Sequence, residues 1–226
     1  MFGSTASGSP ILPFTLGHEF CGVVHQAPDG APFKVGDAIS VDPRLYCGSC
    51  VYCKEGATNL CLQGGFVGIS KPSGGGLSEY VALDYKHCHP IPKALIDTAA
   101  LIEPLAVSRR GMKRCRFDDW SGKSALILGG GPIGQAMICN LKVAGCTKIF
   151  CSEITAMRKE QAASLGATVL DPSKDKIVED IMAKTDGVGV NACFDCAGVP
   201  SALETGLQTL RKHGVFVMVA SYFKPV

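Results

Sequence analysis

The chain has 226 residues, 46% of them apolar and 19% charged, enough to bury a core in one or two domains and too apolar for a disordered polyelectrolyte. Its formal charge is +2, with Lys and Arg spread along the chain. That leaves no electrostatic footprint for nucleic acid or an anionic membrane surface, so a small-molecule partner is expected.

The opening MFGSTASGSPILPF lacks a basic segment followed by a long apolar run, and no window of about 18 apolar residues is uninterrupted. Of the twelve cysteines, Cys21, Cys88, Cys115, Cys139, Cys146, Cys151, Cys193 and Cys196 stand singly in apolar surroundings. There a free thiol acts as a small hydrophobe, and a soluble, cytoplasmic protein in a reducing compartment is expected. Next comes FTLGHEFCGVV, which sets the polar pair His18 and Glu19 inside an apolar, glycine-bounded run. A buried imidazole or carboxylate costs several kcal/mol unless it is paired or bound to a metal, so the pair points to a site completed elsewhere.

The short alternating runs CGVVHQA, DAISVDP and LSEYVAL, parted by the turn signals PDGAP, KVGD and SGGG, predict a small all-β unit. Between them, Cys47-x-x-Cys50-x-x-Cys53 and Cys61 supply four thiols within fifteen positions. Four thiolates at such spacing close a tetrahedral zinc shell with no open position, which is a structural site. The competing local disulfide pair needs an oxidising compartment, and a nucleic-acid zinc ribbon needs a longer finger and a basic face. In Asp97 to Arg116, Pro104 can open a helix, but Gly111 and Arg109-Arg110 make its face irregular.

From about residue 122 the pattern becomes strand and helix in alternation. It runs SALIL, GGGPIG, QAMICNLKVAG, KIFCSE, a helix near Ala156 to Leu165, and a strand Thr168 to Leu170. A helix near Asp175 to Lys184, the strand NACFD, a helix near Ser201 to Leu210 and the strand GVFVMVA follow. Five strands separated by helices predict a parallel sheet. Gly129-x-Gly131-Pro132-Ile133-Gly134 sits between strand and helix, where the glycines allow a tight turn, approach to a pyrophosphate and close helix packing. Glu153 ends the next strand, placed to accept the ribose hydroxyls and repel a 2′-phosphate, which favours NAD over NADP; Arg158 softens that preference. The alternative is a ligand-free glycine turn with a solvated Glu. Cys193-x-x-Cys196 lies on an apolar strand, which reads as packing, and His25, His87, His89 and His213 read as structural histidines.

GHEFCG, the four-cysteine lobe, LIEPLAV and GGGPIG, in this order, resemble the zinc-dependent medium-chain dehydrogenase family, in its 2,3-butanediol and sorbitol dehydrogenase branch. The resemblance runs from about Pro13 to Val226. It implies a partial GroES-like all-β catalytic domain with a zinc lobe over residues 1–107 and a Rossmann-type NAD-binding domain, incomplete at five strands, over 108–226. It also implies that His18 and Glu103 bind a catalytic zinc, with Glu19 as a ligand or alternative ligand. The activity implied is hydride transfer between a secondary alcohol, vicinal diol or polyol and NAD, with zinc as Lewis acid.

The family's first zinc-binding Cys, with its neighbouring hydroxyl residue, precedes the GHE motif by a few tens of residues, whereas the seventeen residues before His18 contain no cysteine. The family sheet has a sixth strand, whose edge pairs subunits into homo-oligomers, whereas this sequence ends at YFKPV after the fifth. A truncated chain is therefore expected. The alternatives to a dehydrogenase are a non-catalytic fragment holding a structural zinc, with or without NAD, and a zinc-lobe interaction module.

Overall fold

The computed structural model describes residues 14–70 and 74–222. The MFGSTASGSPILP start, the serine of SGGG and the last four residues, on which parts of the sequence reading rest, lie outside the described residues. The chain divides into two compact units, Met1–Glu103 and Pro104–Val226, a boundary a few residues before the 107/108 division drawn from the sequence.

In the first unit, β1 (Cys21–Val23), β2 (Ala38–Val41) and β5 (Cys88–Ile91) form an antiparallel sheet in the order β1-β2-β5. Central β2 is the buried strand, with Ala38, Ser40 and Val41 all inside. Strands β3 (Arg44–Leu45) and β4 (Gly65–Phe66) pair to flank the cysteine lobe, which carries the single-turn helix α1 (Val51–Lys54). The alternation of LSEYVAL predicts a strand, yet none forms there. Val81 and Leu83 line an open groove of about 740 Å³, and the segment has no hydrogen-bonded strand neighbour among the described residues. Side-chain alternation alone does not make a strand when the ladder has no second rail.

Helix α2 (Ile102–Arg114) is the element whose face looked irregular, and it forms as thirteen residues. Ser108 and Gly111 lie buried on it while Arg109 and Arg110 are exposed. Ser108 is satisfied: its hydroxyl donates to the Leu105 carbonyl at 3.0 Å and accepts from Asn140 Nδ2 at 2.6 Å. Gly111 lets α2 come close to the sheet, since a Cβ there would sit 3.2 Å from Met137 Cε and 3.4 Å from Val219 Cγ2.

The second unit is a five-stranded parallel sheet. Its strands are β6 (Ser124–Leu128), β7 (Lys148–Ser152), β8 (Thr168–Leu170), β9 (Val190–Asp195) and β10 (Leu210–Met218), in the order β10-β9-β6-β7-β8. Its crossovers run through α3 (Pro132–Val143), α4 (Ala156–Ser164), α5 (Ile177–Lys184) and α6 (Pro200–Gln208). A strand covered on both faces is apolar throughout rather than alternating, and all five residues of β6 are buried. Ile127 packs with Met137, Ile138, Leu141 and Phe194 in one cluster, while Leu126 and Leu128 pack with Phe150, Ile181 and Val190 in another. A helix expected to reach Leu210 instead ends at Gln208. The Thr209 hydroxyl turns back onto the Gly206 carbonyl, and Leu210 already pairs with Val190. The register then shifts before Val215, where His213 takes a positive φ of 62°.

Candidate active site

His18, Glu19 and Glu103 converge, each offering one ligand atom, with these atoms within 4.8 Å of one another. The stretch before His18 is held by backbone bonds from Gly76 N–H to Gly17 O and from Leu77 N–H to Leu16 O, both 2.9 Å. The imidazole stands edge-on to Phe66, with ring centroids 6.3 Å apart, and its Nε2 lies 3.9 Å from Glu19 Oε1. Glu103 sits in the first turn of α2, where the helix dipole favours an anion. Burial pushes its carboxyl up, His18 opposes the rise and Glu19 adds to it. Tetrahedral coordination at about 2.1 Å separates donor atoms by about 3.4 Å, so small side-chain rotations close this set around an ion. One imidazole and two carboxylates suit zinc and leave the fourth position open.

Cys47, Cys50, Cys53 and Cys61 also converge within 4.8 Å. Their sulfurs are 3.6 Å apart for Cys47 and Cys61, and 4.0 Å apart for Cys47 and Cys53 and for Cys50 and Cys61. A tetrahedron of sulfurs about 2.3 Å from a zinc ion has edges of about 3.8 Å, whereas a disulfide needs about 2.05 Å. The donor set therefore fits the ion. Bonds from the Ser49 hydroxyl and from the Ser49 and Cys50 N–H groups bring the Cys47 thiol down to about 5. Burial and the neighbouring Cys50 push Cys53 up to about 12. The thiols do not ionise together unaided, and a dication supplies the charge that lets them.

In the second unit, the chain between β6 and α3 carries the glycine motif. Gly131 caps α3, exposed Pro132 and half-buried Ile133 open it, and Gly134 is buried. A Cβ on Gly134 would lie 2.0 Å from the Gly129 carbonyl oxygen, so only glycine allows the helix to start this close to the strand. Glu153, after β7, is buried, and its carboxylate accepts from Gly130 N–H at 2.7 Å, Ile154 N–H at 2.8 Å and Thr155 N–H at 2.7 Å. Burial alone would raise its carboxyl, but these donors outweigh it and hold it below the ordinary value. Arg158 is exposed, and its Nη1 lies 4.0 Å from where a Gly131 Cβ would be. The Cys193 and Cys196 thiols are pushed up by burial.

Asp195, which no motif spacing singles out, lies between those two cysteines. It is fully buried at the end of β9 and bonded to Tyr222. Its signal in the sequence was a single acid closing an apolar strand. Among the described residues no helix is long and apolar enough to cross a membrane.

Residues 3–93 match the alcohol dehydrogenase GroES-like domain, and residues 132–225 match the zinc-binding dehydrogenase domain. The chain is 37% identical over 235 residues to the (R,R)-butanediol dehydrogenase of Saccharomyces cerevisiae, covering 95% of this chain and 61% of that protein. The crystal structure of 2R,3R-butanediol dehydrogenase from Bacillus subtilis superposes with a TM-score of 0.86 at 36% identity, covering 96% of this chain and 61% of that one. A Sinorhizobium meliloti protein bound to NADP superposes with a TM-score of 0.89 at 32% identity, covering 98% and 66%. The chain thus spans about 60% of the length of the curated relatives it matches. It belongs to the zinc-binding, medium-chain alcohol dehydrogenase family.

Proposed function

We propose that this chain is the zinc- and dinucleotide-binding part of an oxidoreductase that moves a hydride between a secondary alcohol, vicinal diol or polyol and NAD. The observation that carries the reading is the convergence of His18, Glu19 and Glu103. Zinc bound there supplies Lewis acidity toward the alcohol oxygen, and NAD supplies the hydride-accepting ring. The chain's own residues do the rest. His18 and Glu103 hold the ion, and exposed Glu19 serves as a third or exchanging ligand; the two carboxylates offset the ion's charge and ease ligand exchange. Cys47, Cys50, Cys53 and Cys61 close a second shell that leaves no position for substrate, so its role is structural.

Gly129, Gly131, Pro132, Ile133 and Gly134 admit the pyrophosphate at the start of α3. Glu153 takes the adenosine ribose hydroxyls and disfavours a 2′-phosphate, while Arg158, exposed nearby, can accommodate one and softens that preference. A cytoplasmic location suits twelve cysteines kept as thiols.

Metal analysis of the purified protein, with NADH formation followed on 2,3-butanediol and sorbitol, tests the reading. Two zinc ions per chain, one of them lost in His18→Ala, and diol-dependent NADH formation are expected. One zinc, unaffected by His18→Ala, with no turnover, would instead identify a non-catalytic fragment that keeps the structural zinc.

A further inference from the structure

Asp195 ties together the two chain segments that leave the sheet after β9 and β10. Its carbonyl accepts the N–H of Val219 at 3.0 Å and of Ala220 at 2.9 Å. Its Oδ1 accepts the N–H of Ala197 at 2.9 Å and of Gly198 at 3.0 Å, and its Oδ2 accepts the Tyr222 hydroxyl. The side chain is 0% exposed, and no basic group pairs with it among the described residues. Every donor it has is neutral. A buried carboxylate held only by neutral donors carries a charge that a cation brought close to it would offset.

The sheet order shows where such a charge would come from. In β10-β9-β6-β7-β8 the order reverses between β6 and β9, and in an open parallel sheet a ligand lies in the crevice beyond the strand ends at that reversal. Glu153, beyond β7, marks the adenosine ribose side of the glycine loop. The other half of the dinucleotide then extends over the ends of β9 and β10. That is the Asp195 side: Ala197 packs on the glycine loop, its Cα and Cβ each 3.3 Å from where a Gly129 Cβ would be.

Resting on the dinucleotide reading above, we propose that Asp195 and Tyr222 are a positioning pair for the nicotinamide half of the cofactor. The carboxylate favours the cationic oxidised ring over the neutral reduced one, and the Tyr222 hydroxyl attenuates that preference. Burial, together with the facing carboxylate, pushes the Tyr222 phenol up to about 12, so it remains a donor through the neutral range.

The test is the ratio of NAD+ to NADH dissociation constants, by calorimetry and by NADH fluorescence, for the wild type, Asp195→Asn and Tyr222→Phe. Asp195→Asn is expected to shift the ratio against NAD+ by about fivefold, and Tyr222→Phe to shift it toward NAD+. A purely structural lesion weakens both forms alike. Should Asp195→Asn fail to fold by circular dichroism, Tyr222→Phe, at a half-exposed side chain, still decides the matter. Wild type that binds both forms, with a ratio unmoved in the folded variants, overturns the pair alone. Wild type that binds neither form overturns the dinucleotide reading and the pair with it.

Discussion

Gly130 donates its N–H to Glu153 Oε2 at 2.7 Å, so the middle of the glycine loop is tethered to the acid that follows the second strand in sequence of the sheet. The acid that would receive the ribose hydroxyls is thus already fixed in place by backbone donors and cannot swing aside for a phosphate. Glu153→Ala is expected to weaken NADH binding about tenfold, a change of ~1.4 kcal/mol, while NADPH binding weakens less or improves. Arg158→Ala in that background should reverse the gain for NADPH. Fluorescence titration with both reduced cofactors checks this, and an unchanged NADH to NADPH ratio in Glu153→Ala would count against the assignment.

The thiols should separate into two reactivity classes. Only a thiolate attacks a disulfide reagent at a useful rate. With the protein stripped by a chelator, the four thiols of the cysteine lobe, whose helix buries no residue, are expected to react first. Cys146, pushed up to about 11 by burial, and Cys115 and Cys151, each at about 12 for the same reason, should wait for denaturant. Mass spectrometry of quenched, labelled peptides reads the order directly; early labelling of Cys151 would contradict it.

Two glycine-to-alanine changes should behave oppositely. At Gly111 the new methyl meets the flexible end of Met137, and removing glycine from a helix interior is worth up to about 1 kcal/mol, so stability should change little or rise. At Gly134 the methyl meets the Gly129 carbonyl oxygen at 2.0 Å, which is backbone and cannot yield; a loss of about 3 kcal/mol, with loss of dinucleotide binding, is expected. Urea denaturation of the two variants beside the wild type is the comparison. Equal losses would show that close packing at Gly134 is not what the loop depends on.

Asp171 gives the second unit an acid limb. Lys159 Nζ lies 2.5 Å from its Oδ2, and the Ser173 hydroxyl and N–H donate to its Oδ1. Lys159 first, then Ser173, hold the carboxyl well below the ordinary carboxylate range. A depressed folded-state value means that the stabilisation is fully present above the unfolded-state value. It is lost as pH falls through the folded one. Asp171→Asn should therefore destabilise the protein near neutral pH, with the gap to wild type narrowing as pH falls below about 3.8. Denaturant titrations at several pH values measure the gap, and one that is constant with pH would exclude the ion pair as its source.

What was legible in the sequence follows the range of the forces involved. The five strands of the parallel sheet are short apolar runs bounded by turns, and each carries its own signal. The cysteine cluster and the glycine loop are equally local, which is why Cys47 to Cys61 and Gly129 to Gly134 could be named by spacing. His18 and Glu103 are 85 positions apart, and residue chemistry alone could not join them; the resemblance did, and the structure brings them together. Features made by tertiary contact left weaker traces. Gly111 looked like a helix fault because the side chains that pack over it, Met137 and Val219, come from distant parts of the sequence. LSEYVAL carried the alternation of a strand without the neighbour that a strand requires. The bond from Tyr222 to Asp195 joins residues 27 positions apart, and nothing local announces it.

The lobe from Cys47 to Cys61 contains the helix α1, and no residue of that helix is buried. Apolar packing gives this segment little to fold around, and its four sulfurs are the contacts that converge. Its order is then a mass-action quantity. A ligand that binds only the ordered form stabilises it by about 2.7 kcal/mol at a hundredfold excess over its dissociation constant, and by nothing at zero concentration. The parallel sheet of the second unit keeps its shape through its own core, whereas a lobe closed by zinc at these four sulfurs would hold its shape only as firmly as the surrounding free zinc concentration allows.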